Sequence, residues 1–341
     1  MMRLPRFDYR APRTLAEAAR VLAGEGPDAM LLAGGTDLLP NMKRRQQLPH
    51  TLVALRGIDE LRQVRNGDGL RLGAGLTLAE IVRQPAVRER YLGLWQAAIQ
   101  VATPQLRNMG TLGGNLCLDT RCTYYDQSYE WRRAIGFCLK REGETCWVAP
   151  ASRLCLAVSS TDTAPALVAL RARVHLVSAA GERTIDADAL YRNDGIDYLT
   201  RRPDEILAGV HLSRPDGLKS SYWKLRRRGA FDFPVLSVAV AVWSGADGSV
   251  RDARIVLGAV SSRPLLCTSA GDCLRGTRLE DPALAQAADL AAKLAKPMDN
   301  TDFTLHWRKR VAREFVTCAL REARGDDMRE ARQRYARHEL G

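Results

Sequence analysis

The sequence predicts an α+β protein: two small α/β units in succession, then a C-terminal domain with a three-stranded antiparallel sheet and helices. Three observations carry this. Short apolar runs alternate with helix-spaced segments up to a Pro/Gly break at "SRPDG", near Gly217. Beyond the break, long Val-rich runs come first and amphipathic helices follow. A chain of 341 residues is also long enough for more than one core.

The elements follow in order. "TLAEAARVLA" has helical spacing behind a capping Thr14. "AMLLAGG" reads as a short buried strand ending in glycines, and "TLVALRGI" as a second strand, closing a first unit at 1–58. "GLRLGAGLTLAEIVRQ" predicts strand, turn and helix, and "YLGLWQAAIQVA" a further helix. "APALVALRARVHLVSAAGERTIDADAL" predicts helix, strand, hairpin turn and strand; "DEILAGVHL" ends the second unit, 59–217. In 218–330, "SSYWKLRRRGAFDFPVLSVAVAVW" and "VRDARIVLGAVSSRP" supply the antiparallel strands. "DPALAQAADLAAKLA" and "HWRKRVAREFVTCALREA" supply the helices. A charged tail, 331–341, is expected to be a frayed surface helix.

The formal charge of +12 fits either an acidic partner or a solvated basic surface. No Lys/Arg block or zinc-finger spacing supports nucleic acid. The longest apolar runs, such as "VLSVAVAVW", are too short to span a membrane. "MMRLPRFDYRAP" lacks the apolar segment of a secretory signal, so a cytoplasmic protein is expected. In a reducing compartment the eight cysteines are not expected to form disulfides, and a clustered set suggests metal.

Two glycine stretches stand out. "LLAGGTDLLP" places Gly34 and Gly35 directly after a strand, where successive N–H groups can form an anion nest, with Thr36 and Asp37 adding polar side chains. "RNMGTLGGNL" repeats that chemistry at Gly110, Thr111, Gly113, Gly114 and Asn115. Neither is a Walker loop, and "GLRLGAGLTL" lacks the last glycine of a dinucleotide fingerprint.

Taken with "IQVATPQLRNMGTLGGNLC" and "KLRRRGAFDFPVLSVAVA", in this order and spacing, "AGGTDLLP" resembles the FAD subunit of the molybdenum hydroxylase (xanthine dehydrogenase) family over nearly the whole chain. The resemblance implies a two-subdomain FAD-binding region of the PCMH type, with both glycine loops around the FAD pyrophosphate. It assigns the ADP half to Leu31, Leu32, Ala33, Gly34, Gly35, Thr36, Asp37 and Leu38, and to Thr111, Leu112, Gly113, Gly114 and Asn115. Val101 is expected close to the flavin, Ile206 and Leu207 near the isoalloxazine, Lys224 facing the flavin ring, and Asp162 at the adenosine end. No residue of this chain is expected to be catalytic.

The family pattern usually runs from "GGNLCNASP" directly into "ADTAPALLAL". Here residues 119–157 separate "GGNLCL" from "SSTDTAPALVAL", so they form an insertion in a flavin-binding loop. Cys117 belongs to the flanking pattern; Cys122, Cys138, Cys146 and Cys155 lie inside. A segment this short has little core and needs a staple. Four thiolates suit zinc or an iron–sulfur cluster, unliganded core cysteines are the third alternative, and spacing alone does not decide. Tyr124, Tyr125, Tyr129, Trp131, Phe137 and Trp147 supply an aromatic shell, and a redox centre beside a flavin favours [4Fe–4S].

The insertion resembles the branch of the family formed by the 4-hydroxybenzoyl-CoA reductases of anaerobic aromatic degradation. That implies a relay from reduced ferredoxin through the [4Fe–4S] cluster and FAD to a small subunit with two [2Fe–2S] clusters. The endpoint is a large molybdopterin subunit, in a dimer of three-subunit units. Basic residues of the insert, Arg132, Arg133, Lys140 and Arg141, are expected to dock the ferredoxin. The alternatives are an ordinary molybdenum hydroxylase's FAD subunit with a structural zinc loop, and a non-catalytic assembly protein.

Overall fold

In a computed structural model, residues 3–336 are described. Thr14 caps the helix Leu15–Glu25 by accepting from Glu17 N (3.1 Å). The helix buries Ala18, Ala19 and Leu22. They pack on a parallel sheet in which β1 (Asp8–Arg10) and β2 (Ala29–Leu32) flank β3 (Thr51–Ala54).

The second unit has five strands: β4 (Val64–Gly67), β5 (Gly69–Gly73), β6 (Arg173–Ser178), β7 (Gly181–Asp186) and β8 (Ile206–Leu212). Their order is β4-β5-β8-β6-β7 and every pairing is antiparallel. The helices Leu92–Ile99 and Thr163–Ala169 share its core.

The C-terminal domain is built on β9 (Leu218–Leu225), β10 (Leu236–Ser244) and β11 (Val250–Gly258). The expected three-strand sheet gains a two-residue edge strand, β12 (Leu265–Leu266), giving the order β12-β11-β10-β9. Every residue of the run "VLSVAVAVW" but Ser237 is apolar because β10 is buried on both faces. Val238, Val240 and Val242 enter a core with the helices Asp281–Leu294 and Leu305–Arg324. Ala239 and Ala241, on the other face, join the core of the second unit.

The charged tail is corrected in part. Residues Arg329–Ala336 form a packed helix, because Tyr335 is buried against Phe315 (ring centroids 4.8 Å) and Trp223 (5.9 Å). Residues 337–341 lie outside the described residues.

Candidate functional site

The two glycine loops meet. A Cβ on Gly34 would lie 2.0 Å from the Met109 carbonyl oxygen, and one on Gly114 would lie 4.0 Å from the Ala33 Cβ. The backbone N–H groups of Gly34, Gly35, Thr36 and Asp37 donate to no described group. Unpaired, partly exposed N–H groups in succession fit a phosphate. The second loop differs. Leu112 N donates to Leu76 O (2.9 Å), Gly113 N to Ala74 O (2.8 Å) and Gly114 N to Thr111 Oγ1 (3.0 Å). Its donors hold the loop in place, and Gly114 presents an exposed face without a side chain.

Asn115 ties together the two ends of the insertion. Its Oδ1 accepts from Thr161 Oγ1 (2.9 Å), Thr163 N (3.1 Å) and Thr163 Oγ1 (2.6 Å). Between those threonines, Asp162 is buried and paired with Lys224 Nζ (3.0 Å), and it accepts from Tyr222 OH (2.7 Å). Lys224 also donates to Gln100 O (3.0 Å), beside Val101, whose own carbonyl takes Arg107 (2.8 Å). The resemblance assigns Asp162 and Lys224 to opposite ends of FAD. Their direct contact means they cannot serve both ends of one dinucleotide. The Lys224 side chain is 0% exposed and the Asp162 side chain 3%, so the pair locks the C-terminal sheet onto the flavin-binding region.

Burial pushes the Asp162 carboxyl up and the Lys224 ammonium down, and the ion pair opposes both shifts. Removing one partner leaves an uncompensated buried charge. Lys224→Met is expected to cost roughly 3–5 kcal/mol in urea unfolding, and adding Asp162→Asn should recover part of that. Additive losses would show that the two charges do not depend on each other.

Ile206 and Leu207, expected near the isoalloxazine, point into different cores. Ile206 packs with Val53 and Leu61, while Leu207 joins the core that Val101 borders.

The insertion is a platform of turns around one short helix, Tyr129–Ala134, capped by Ser128. Its apolar centre consists of Cys122, Tyr125, Cys138, Cys155 and Ala157. Cys122, Cys138, Cys146 and Cys155 all line one pocket of about 10 Å³, with Tyr124, Lys140 and Trp147 among its walls. Cys117 packs instead against the neighbouring core. All eight cysteines are free. Among the described residues, no group of three or more His, Cys, Asp or Glu is arranged to hold a metal ion. Burial pushes the Cys122 thiol up to about 12 and the Cys155 thiol up to about 11, so in this arrangement both are protonated. Backbone N–H groups of Tyr124 and Tyr125 approach Cys122, and that of Ala157 lies 3.4 Å from Cys155 Sγ.

Sequence reasoning missed the ties between this platform and the rest of the chain. Arg121, in the insertion, pairs with Asp37 of the first glycine loop and donates to Asn41 Oδ1 (3.3 Å). Asn300 Nδ2 donates to Leu156 O (2.6 Å), and Thr123 N to Asn300 O (3.0 Å). The expected docking surface is corrected. Arg132 is 1% exposed and donates to the carbonyls of Arg44 and Arg45. Lys140, its side chain 6% exposed, is held by Asp119 (2.8 Å), Thr120 Oγ1 (2.6 Å) and Gly195 O (2.6 Å). Of that set, Arg133 and Arg141 reach solvent.

Comparison with known proteins agrees with this architecture. Residues 5–215 match the FAD binding domain in molybdopterin dehydrogenase, and residues 220–323 the CO dehydrogenase flavoprotein C-terminal domain. The chain is 29% identical to the nicotine 6-hydroxylase medium subunit of Paenarthrobacter nicotinovorans, covering 94% of this chain and 99% of that one. It is 32% identical to the aldehyde oxidoreductase FAD-binding subunit of Escherichia coli, covering 76% and 82%. Reconstituted CO dehydrogenase from Oligotropha carboxidovorans superposes with a TM-score of 0.78 at 27% identity, covering 96% and 100%. The chain therefore belongs to the family of FAD-binding subunits of the molybdenum hydroxylases.

Proposed function

We propose that this chain is the electron-transfer subunit of such a complex and that residues 119–157 hold an iron–sulfur cluster of the [4Fe–4S] type. One observation carries the cluster reading: four thiols from separate turns line a single pocket, and three of them, Cys122, Cys138 and Cys155, belong to the insertion's apolar core. Soft thiolates are the donors iron–sulfur centres take. The pocket has room for about one water. Cys122, Cys138, Cys146 and Cys155 would hold the cluster as thiolates, so binding it would release their protons.

The first glycine loop, with its unpaired N–H groups, is the reading's phosphate site for FAD, and the exposed face of Gly114 borders it. Bound FAD supplies exchange between two-electron and one-electron chemistry. The protein supplies its position, and the substrate pocket belongs to a large molybdopterin subunit, alongside a small subunit with two [2Fe–2S] clusters.

The named relatives include a nicotine hydroxylase, an aldehyde oxidoreductase and a CO dehydrogenase. They favour an ordinary, oxidative molybdenum hydroxylase as the parent enzyme. The finer reading, a ferredoxin-driven 4-hydroxybenzoyl-CoA reductase, rests on the insertion between Asn115 and Asp162.

Iron, acid-labile sulfide, zinc and flavin are to be measured on anaerobically purified chain. Iron and sulfide in equal amounts, together with FAD, are expected. Zinc without iron would leave a hydroxylase subunit with a structural loop, and neither metal would leave the thiols as plain core. Supplying the assembled complex with 4-hydroxybenzoyl-CoA and reduced ferredoxin separates the two parent enzymes: dehydroxylation supports the reductase, and no turnover supports the oxidative reading.

A further inference from the structure

Lys140 is a buried cation in the wall of the thiol pocket. It lies on the Cys155 side. Its Nζ grips the Gly195 carbonyl (2.6 Å), Gly195 N donates to Cys155 O (2.8 Å), and a Cβ on Gly195 would meet Cys155 Sγ at 2.7 Å. Its counter-charge, Asp119, lies 2.8 Å from Nζ but does not line the pocket. Asp119 also accepts from Tyr125 OH (3.2 Å) and Gln47 Nε2 (3.2 Å). Lys140 thus lines the pocket, whereas its carboxylate partner does not. All three of its N–H donors are used, so its position is fixed.

We infer that Lys140 and Asp119 form an oriented charge pair that sets the reduction potential of a cluster bound by the four thiols. The inference rests on the cluster reading above. The couple gains one electron and exchanges no atoms, so its reduced form carries one more negative charge. A fixed cation in the pocket wall stabilises that form more than the oxidised one, and burial leaves the interaction poorly screened by salt. The carboxylate paired with it offsets part of the effect. Lys140 is thus a positioning and tuning residue rather than a ligand.

The test is a redox titration of the anaerobic full chain, followed by low-temperature EPR, with iron counted in every sample. Lys140→Met should lower the midpoint potential, Asp119→Asn should raise it, and Lys140→Arg should stay near the parent. Shifts of opposite sign at full iron content support the charge pair. An unmoved or reversed potential in either neutralising variant overturns it. If Lys140→Met fails to retain iron, Asp119→Asn decides, since it keeps the cation. Loss of iron from both also overturns the inference, by showing that the pair acts as a structural staple. A parent chain without iron and sulfide defeats the cluster reading itself, which is a different result from an intact cluster at an unmoved potential.

Discussion

Gly34→Ala is expected to strip FAD from the chain while leaving most of its secondary structure. The added Cβ would sit 2.0 Å from Met109 O and 2.6 Å from Met109 C, both backbone atoms that have no rotamer to escape through. Relief requires the two glycine loops to part. Overpacking of this kind typically costs about 1–3 kcal/mol, which the remaining cores can absorb. The loops' joint geometry cannot absorb it, because the unpaired N–H groups of residues 34–37 bind an anion only when they converge. Flavin absorbance per chain after gel filtration, alongside far-UV circular dichroism, reads the outcome. Full flavin content in a folded variant would place the phosphates away from the first loop.

The legible parts of the molecule were those with local causes. Thr14 and the apolar spacing behind it announce the first helix, and the unbroken Val/Ala run of β10 announces a strand. Glycines following a strand marked the first loop, and a cysteine cluster in an interrupted pattern marked the pocket. The illegible parts depend on partners distant in sequence. Lys140 and Arg132 read as surface charge because nothing nearby reveals Asp119, Gly195 or the carbonyls at 44–45. Lys224 read as a flavin contact because its partner Asp162 lies on the far side of a strand, a hairpin and a domain break. A buried cation is affordable only with such partners, and sequence position does not display them.

Those distant ties link the thiol pocket to the flavin loop. Arg121 and Asp126 lie in the insertion, and Asp37, Asn41 and Arg44 lie at or just after the first glycine loop, within one polar cluster. Disorder in the insertion is therefore not expected to remain local.

This makes the cysteine series the most informative experiment. Serine at Cys122, Cys138, Cys146 or Cys155 should in each case lose or degrade the iron–sulfur centre, because a hydroxyl is a poor substitute for a soft thiolate. Serine at Cys117, Cys267, Cys273 or Cys318 should leave it intact. Cys117 and Cys318 pack in cores outside the pocket, as do Cys267 and Cys273, and none lines its walls. Because three of the thiols belong to the insertion's small core and the fourth, Cys146, lines the same pocket, the four pocket variants should also become protease-sensitive within residues 119–157. Their flavin content should fall as well, since Arg121 then no longer holds Asp37. Iron and sulfide counts, EPR of the dithionite-reduced chain, limited proteolysis and bound flavin read these effects separately. A parent-like EPR signal in the pocket variants would remove the thiols as ligands. Iron loss with unchanged proteolysis and flavin would instead keep the cluster and refute the coupling between the insertion and the glycine loop.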